Sequence, residues 1–302
     1  MRVLLAGWFT FERGEATAGD LLAAETARDW LRSEGIPHDT ALSGTFRGSG
    51  WEGVDYRRVP PEDYSDVFFV SGPASGRQVR ELAERFAGCR LTGLGVSLIG
   101  PDTEPPRFDR LLERDGTEIR RPDLSFLAPR EPVPLAGLVL SHEQPEYGEA
   151  ANDAAVHDAL LFALQEERAS FLSFGTRVDP REPPGGVAFR SAAEVEAVFR
   201  GLDLVVTTRL HGLVHALRAG VPTLAVDPIT GGAKVSRQAR AVGWPAVLVA
   251  GGSPNLLDAE KVKETFAYCL TGEAREQARG CAESAARELP GLRDEFLRSL
   301  GK

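Results

Sequence analysis

Cysteine is scarce in this chain: Cys89, Cys269 and Cys281 are the only three in 302 residues, widely spaced and without a C-x-x-C pair. An odd, scattered set builds neither a disulfide framework nor a thiolate zinc cluster, so the three read as ordinary buried or half-buried thiols. Long apolar runs are missing as well. Val3 to Phe9 is shorter than a signal-peptide core or a membrane span, and Glu12, Arg13 and Glu15 follow it at once, which points to a cytoplasmic protein. There is no cationic excess: 44 Asp and Glu stand against 35 Lys and Arg, for a formal charge of -9. That balance argues against a nucleic-acid partner or a broad anionic-membrane surface and leaves room only for a local basic pocket around a small anion. The chain also lacks a P-loop, a full G-x-G-x-x-G, a G-x-S-x-G elbow and a D-x-D carboxylate pair. Nucleotide hydrolysis, dinucleotide redox chemistry and serine hydrolysis therefore lose ground.

What is present is the composition of a globular protein, 42% hydrophobic and 26% charged, with 32 Gly and 20 Pro marking many turns. The length suits two domains or one large α/β domain. Val3 to Gly7 reads as a buried strand running into a helix over Thr17 to Arg32. The alternation continues with a strand at Val67 to Val70, a helix at Gln78 to Phe86 and a strand at Leu91 to Leu98. Three prolines between Pro129 and Pro134 mark a linker, which divides the chain into residues 1–130 and 131–302. The second part repeats the pattern: strands at Leu138 to Leu140, Ser170 to Phe174, Leu204 to Thr207, Thr223 to Val226 and Val247 to Val249. Helices alternate with them at Asp153 to Glu167, Ala192 to Phe199, Leu210 to Ala219 and Val235 to Val242, and the chain closes in charged, Ala-rich helix. This is α/β architecture in two open domains, expected to leave a cleft between the carboxyl ends of their strands, where such folds hold ligands.

The sharpest local pattern is Thr207-Thr208-Arg209-Leu210-His211-Gly212. An apolar strand there runs straight into a helix, whose free N–H groups and dipole favour an anion. Arg209 can grip a phosphate or carboxylate bidentately, and His211 can bind an oxygen or move a proton. A salt bridge and a helix-start hydrogen bond are the plain alternatives, but the two residues together at this junction favour function. His211 and His215 share a helix face, yet the glutamate of H-E-x-x-H is absent and no third ligand is evident, so no metal site is expected and His215 reads as a packing residue or one that supports a site residue from behind. Gly231, Gly232 and Lys234 after the next strand can cradle a phosphate or form a flexible loop with a solvated lysine. Gly19-Asp20 precedes the first helix, where Asp20 is an N-cap or first-turn acid matched to the helix dipole, or a base or hydroxyl-binding group facing the acceptor. Ser71, Gly72 and Ser97 at strand ends offer ligand hydrogen bonds or simply turn. Arg177 and Asp227 occupy similar loops, with ion pairs as the alternative, and His142 faces the cleft or the surface.

Taken in order, these motifs resemble the polysaccharide pyruvyl transferase family. The likeness is strongest from Leu204 through Gly243, where strand, Arg-Leu-His-Gly, helix, Ala-Gly-Val-Pro, strand, glycine loop and Lys234 follow the family's order; Gly19-Asp20, Val70-Ser71-Gly72 and Gly95 to Pro101 extend it. The resemblance implies two Rossmann-like domains facing across a cleft, as in GT-B glycosyltransferases, with the acceptor side in 1–130 and the donor side in 131–302. It implies transfer of the enolpyruvyl unit of phosphoenolpyruvate, a co-substrate rather than a cofactor, to the hydroxyls of a sugar or glycan precursor as a ketal. Arg209, His211, Lys234, Gly231 and Gly232 would then hold the donor, with His211 and Asp20 catalytic and no metal needed. A lipid-linked acceptor would add peripheral membrane contact. Ser71-Gly72-Pro73 departs from the family's usual glycine pair, His142 stands where arginine is common, and the segment from Asp102 to Pro129 is short; all bear on the acceptor. A glycosyltransferase using a nucleotide sugar and a catalytically silent homologue remain open at this level.

Overall fold

Apolar residues occur in unbroken runs in the strands because each central strand is covered on both faces. In Leu204–Thr207, Leu204 and Val206 join one core cluster while Val205 joins another. In Val3–Ala6, Leu4 and Ala6 divide from Val3 and Leu5 in the same way. Full burial of such a side chain contributes about 1.5–3 kcal/mol, which is why apolar residues dominate both parities.

A computed structural model describes residues 2–13, 16–46, 51–98, 106–116, 119–141, 148, 150–252 and 256–300. The chain divides into two compact units, Met1–Glu131 and Pro132–Lys302. The first holds β1 (Val3–Ala6), α1 (Ala18–Ser33), β2 (His38–Thr40), β3 (Asp66–Val70), α2 (Arg77–Arg85), β4 (Arg90–Ser97) and β5 (Arg110–Asp115). The second holds β6 (Leu135–Val139), α3 (Asp153–Leu164), β7 (Ser170–Ser173), α4 (Ala192–Arg200), β8 (Leu204–Thr207), α5 (Leu210–Arg218), β9 (Thr223–Asp227), α6 (Lys234–Ala241), β10 (Val247–Val249), α7 (Ala259–Cys269) and α8 (Gly272–Ser299).

Each unit carries a five-stranded sheet, β2-β1-β3-β4-β5 and β10-β9-β8-β6-β7, and every neighbouring pair is parallel. Counted within its own unit, each order is 2-1-3-4-5, the doubly wound arrangement of a Rossmann-like domain. Both units are Rossmann-like on this evidence. Strand order reverses between β1 and β3 in the first unit and between β6 and β8 in the second, and ligands of such sheets sit outside the carboxyl ends of the strands at that reversal.

Two strands were not legible as apolar runs. β2 is the polar triplet His38-Asp39-Thr40, and β5 is Arg110-Leu-Leu-Glu-Arg-Asp115; both lie at sheet edges. An edge strand is stabilised from one side only and needs no continuous hydrophobic stretch. The start of α1 follows from a capping box, with the Thr17 N–H (2.8 Å) and hydroxyl (2.9 Å) both donating to Asp20 Oδ2. Asp258 and Thr271 cap α7 and α8 through their side chains. Among the described residues no helix is long and apolar enough to cross a membrane.

Candidate functional site

In the second unit the reversal point lies between the ends of β6 and β8, and the residues that follow these strands are polar and buried. Thr208 is fully buried and accepts the Ser141 N–H at 2.7 Å; its Oγ1 lies 2.9 Å from Ser141 Oγ and 3.3 Å from His157 Nε2. The Ser141 hydroxyl donates to Asp153 in the first turn of α3. This network ties the β6 and β8 loops to α3, so the residue after Thr208 leaves the sheet in a defined direction.

That residue is Arg209. Its backbone is extended (φ -106°, ψ 138°), its N–H donates to Thr207 Oγ1 at 3.0 Å, and no side chain caps the helix it begins. The guanidinium is half-buried and touches Thr176 Oγ1 at 3.4 Å. Among the described residues no carboxylate pairs with it. His211 is exposed on the first turn of α5, its ring 6.3 Å from that of His215. A half-buried arginine, an open helix start and an imidazole therefore share one corner at the carboxyl ends of the strands, the kind of chemistry that suits an anion.

Close packing builds this corner. A Cβ on Gly212 would stand 2.2 Å from Thr207 Oγ1 and 3.3 Å from Val139 Cγ1, so only glycine lets α5 start against β8. Behind it, His215 Nδ1 lies 2.6 Å from Glu196 Oε1 on α4, with its ring 5.4 Å from Phe199. His215 is a packing residue held by a carboxylate.

The β9 loop approaches the same edge. Gly231 and Gly232 take consecutive left-handed conformations (φ 81° and 84°), and the loop is pinned by Thr230 N–H to Ala150 O (3.0 Å) and Asn152 Nδ2 to Thr230 Oγ1 (2.9 Å). Lys234 opens α6, half-buried. Asp227 corrects an expectation. It is fully buried, and its carboxylate accepts the N–H groups of Ile229 (3.2 Å), Ala233 (2.7 Å) and Ser236 (2.9 Å). It caps the turn into α6 and presents nothing to a ligand. The Arg177 side chain is 73% exposed and faces Asp179 at 3.8 Å, a carboxylate that Arg181 also holds. His142 lies outside the described residues.

In the first unit the reversal point lies between the ends of β1 and β3, and Gly72, Ser71 and Asp20 meet there. Ser71 and Gly72 are left-handed in succession (φ 63° and 66°), and Ser71 is the one described non-glycine residue with positive φ. The family's glycine pair would occupy this turn without strain, which gives its departure here a physical meaning. Asp20 is 8% exposed and spends Oδ2 on the Thr17 capping box; Oδ1 lies 3.6 Å from where a Gly72 Cβ would be. Nothing about Gly19 demands glycine, since a Cβ there would make only an ordinary 3.5 Å contact. Ser97 is committed elsewhere: its hydroxyl is the leading cause that holds the Asp115 carboxyl below the usual range, with Arg114 adding to it against burial.

Trp8, Ser141, Asp153, His157, Thr176 and Thr208 were not singled out from the sequence. The signal that finds them is topological, because all but His157 lie in loops, or in the helix start after a loop, beyond carboxyl ends of strands in one or other sheet.

Solved structures similar to this chain at low identity include a spinosyn rhamnosyltransferase complexed with thymidine diphosphate (12% identity, 94% of this chain and 95% of that one, TM-score 0.35). Others are a calicheamicin glycosyltransferase (15%, 100% and 98%, TM-score 0.34) and MurG of Acinetobacter baumannii (14%, 95% and 95%, TM-score 0.30). No curated protein matches the chain significantly. The polysaccharide pyruvyl transferase family matches residues 184–228, the stretch from the loop before α4 through β8, Arg209, His211, α5 and β9, so the segment that builds the anion corner carries the signature of the polysaccharide pyruvyl transferase family.

Proposed function

We propose that this protein is a pyruvyl transferase that moves the pyruvate unit of phosphoenolpyruvate onto hydroxyls of a sugar or glycan precursor. The observation that carries the reading is Arg209, half-buried without a described counter-ion at an uncapped helix start beside His211, inside the family-matched stretch. Phosphoenolpyruvate offers a phosphate and a carboxylate to that corner. Arg209 and the first N–H groups of α5 bind one of these anions, and Lys234 meets the phosphate from the start of α6.

His211 then gives its proton to the methylene carbon, which leaves C2 electrophilic. A sugar hydroxyl adds at C2 and loses its proton to a base. The C2–O bond to phosphate breaks, phosphate departs against Arg209 and Lys234, and a second hydroxyl closes the ketal as its proton passes to the departing phosphate. The products are the cyclic ketal and inorganic phosphate, with no change of oxidation state.

Calorimetric and thermal-shift titration with phosphoenolpyruvate, alongside Arg209→Ala, His211→Ala and a panel of nucleotide sugars, tests this. Donor binding that is weakened at least about tenfold by Arg209→Ala, as expected for a lost charge-assisted contact of about 1.5–3 kcal/mol, supports the reading. Stabilisation by a nucleotide sugar and none by phosphoenolpyruvate would overturn it in favour of glycosyl transfer.

A further inference from the structure

The strand-end edge of the first unit holds an aromatic ring that the donor chemistry does not use. Trp8 follows β1 directly, in a tight turn made possible by Gly7, where a Cβ would meet Val70 O at 2.8 Å and the Phe9 ring at 2.5 Å. The indole packs edge-on against Phe11 and Phe69, with centroids 5.8 and 6.4 Å away, and its Nε1–H donates to Pro73 O at 3.3 Å. It is nonetheless only half-buried. Trp244 gives the contrast: it is 2% exposed, its N–H is satisfied by Thr223 O at 2.7 Å, and it is a core residue.

Three separate segments converge on Gly72. Trp8 Cδ1 and Nε1 lie 2.4 and 2.5 Å from the position a Gly72 Cβ would take, and Asp20 Oδ1 lies 3.6 Å from the same point. Oδ1 accepts no hydrogen bond from the described residues, whereas Oδ2 is occupied by Thr17. The turn that brings Gly72 between them holds Ser71 left-handed, a conformation that costs a non-glycine residue about 1–2 kcal/mol. Strain of this kind persists where the surroundings enforce it, and it concentrates at ligand sites.

An aromatic ring beside a carboxylate with a free oxygen is suited to a pyranose. Axial C–H bonds of one sugar face stack on the electron-rich ring while neighbouring hydroxyls donate to the carboxylate. We infer that Trp8 is the stacking platform for the pyranose ring of the acceptor, with Asp20 Oδ1 receiving its hydroxyls. That the occupant is a sugar rests on the pyruvyl-transfer reading; the platform itself is independent of the donor.

Ligand-observed saturation-transfer NMR with the methyl pyranosides of galactose, glucose and mannose tests this on the full chain. At least one should bind, with transfer strongest to the protons of one ring face. Trp8→Leu, which keeps apolar volume but removes the ring, should weaken that binding about tenfold, while Trp8→Phe should stay within about threefold. Asp20→Asn keeps an oxygen for the Thr17 cap and should still weaken binding several-fold. Thermal melts confirm that each variant is folded. No transfer to any of the three sugars, or binding by folded Trp8→Leu within threefold of wild type, would overturn the platform. Titration of the wild type with phosphoenolpyruvate separates the two readings: Trp8-dependent sugar binding without donor binding upholds the platform and defeats only the donor assignment.

Discussion

Gly212→Ala is the substitution in which packing and function are most tightly joined. In an ordinary helix interior it would stabilise by about 1 kcal/mol, because alanine loses less backbone entropy on folding. Here the added Cβ would stand 2.2 Å from Thr207 Oγ1 and 3.0 Å from Thr207 Cβ. Thr207 is fully buried, so it has nowhere to move, and its hydroxyl donates to Val139 O at 2.6 Å while accepting Arg209 N–H at 3.0 Å. Relieving the overlap breaks one or both of these bonds at about 1 kcal/mol each and adds about 1–3 kcal/mol of overpacking. Set against the propensity gain, the net loss is about 1–4 kcal/mol. Urea unfolding of wild type, Gly212→Ala, Thr207→Ala and the double variant measures it, and the coupling in the double variant should reach about 1 kcal/mol because removing Oγ1 makes room for the methyl. The same displacement shifts the start of α5, so phosphoenolpyruvate affinity should fall although no contacting side chain has changed. A Gly212→Ala protein more stable than wild type, or strictly additive effects, would refute the packing argument.

Three other outcomes can be checked by denaturation. Ser71→Gly should stabilise by about 0.5–1 kcal/mol, since relief of left-handed strain exceeds the added entropy of the unfolded chain; a destabilised variant contradicts the strained turn. Asp227→Ala should cost about 3 kcal/mol by stripping three buried N–H groups of their acceptor, with Asp227→Asn intermediate, and a neutral result would mean that the cap does not matter. For Asp39, burial pushes the carboxyl up, but hydrogen bonds from Arg2 and Tyr64 bring it below the usual range. A depressed carboxyl stabilises the fold above its unfolded value of about 4 and loses that contribution as pH falls through the folded value. The stability gap between wild type and Asp39→Asn should therefore be full near neutral pH and close as the solution is acidified below that point; a gap that widens on acidification has the wrong sign.

Much of this protein was legible in its residues alone. Continuous apolar runs such as Val3–Ala6 and Leu204–Thr207 identify buried parallel strands because a strand covered on both faces has no polar parity, and that signal is local. The apolar spacing from Thr17 to Arg32 marks a helix, and Arg209 with His211 marks a strand-to-helix junction, for the same reason. Edge strands β2 and β5 escaped because half of their surroundings is solvent. Residue types left Asp227 undecided between a ligand contact and an ion pair, and it is neither. The three N–H groups that claim it belong to residues two, six and nine positions on, and only the folded turn brings them to one carboxylate. Thr208 joins Ser141 across 67 residues, and Trp8 meets Gly72 across the pair β1 and β3. Short-range pattern thus determined the central strands and the helices and where an anion corner can form, while pairing across the sheets decided the edge strands, which side chains are consumed in holding that corner and which remain to meet a ligand.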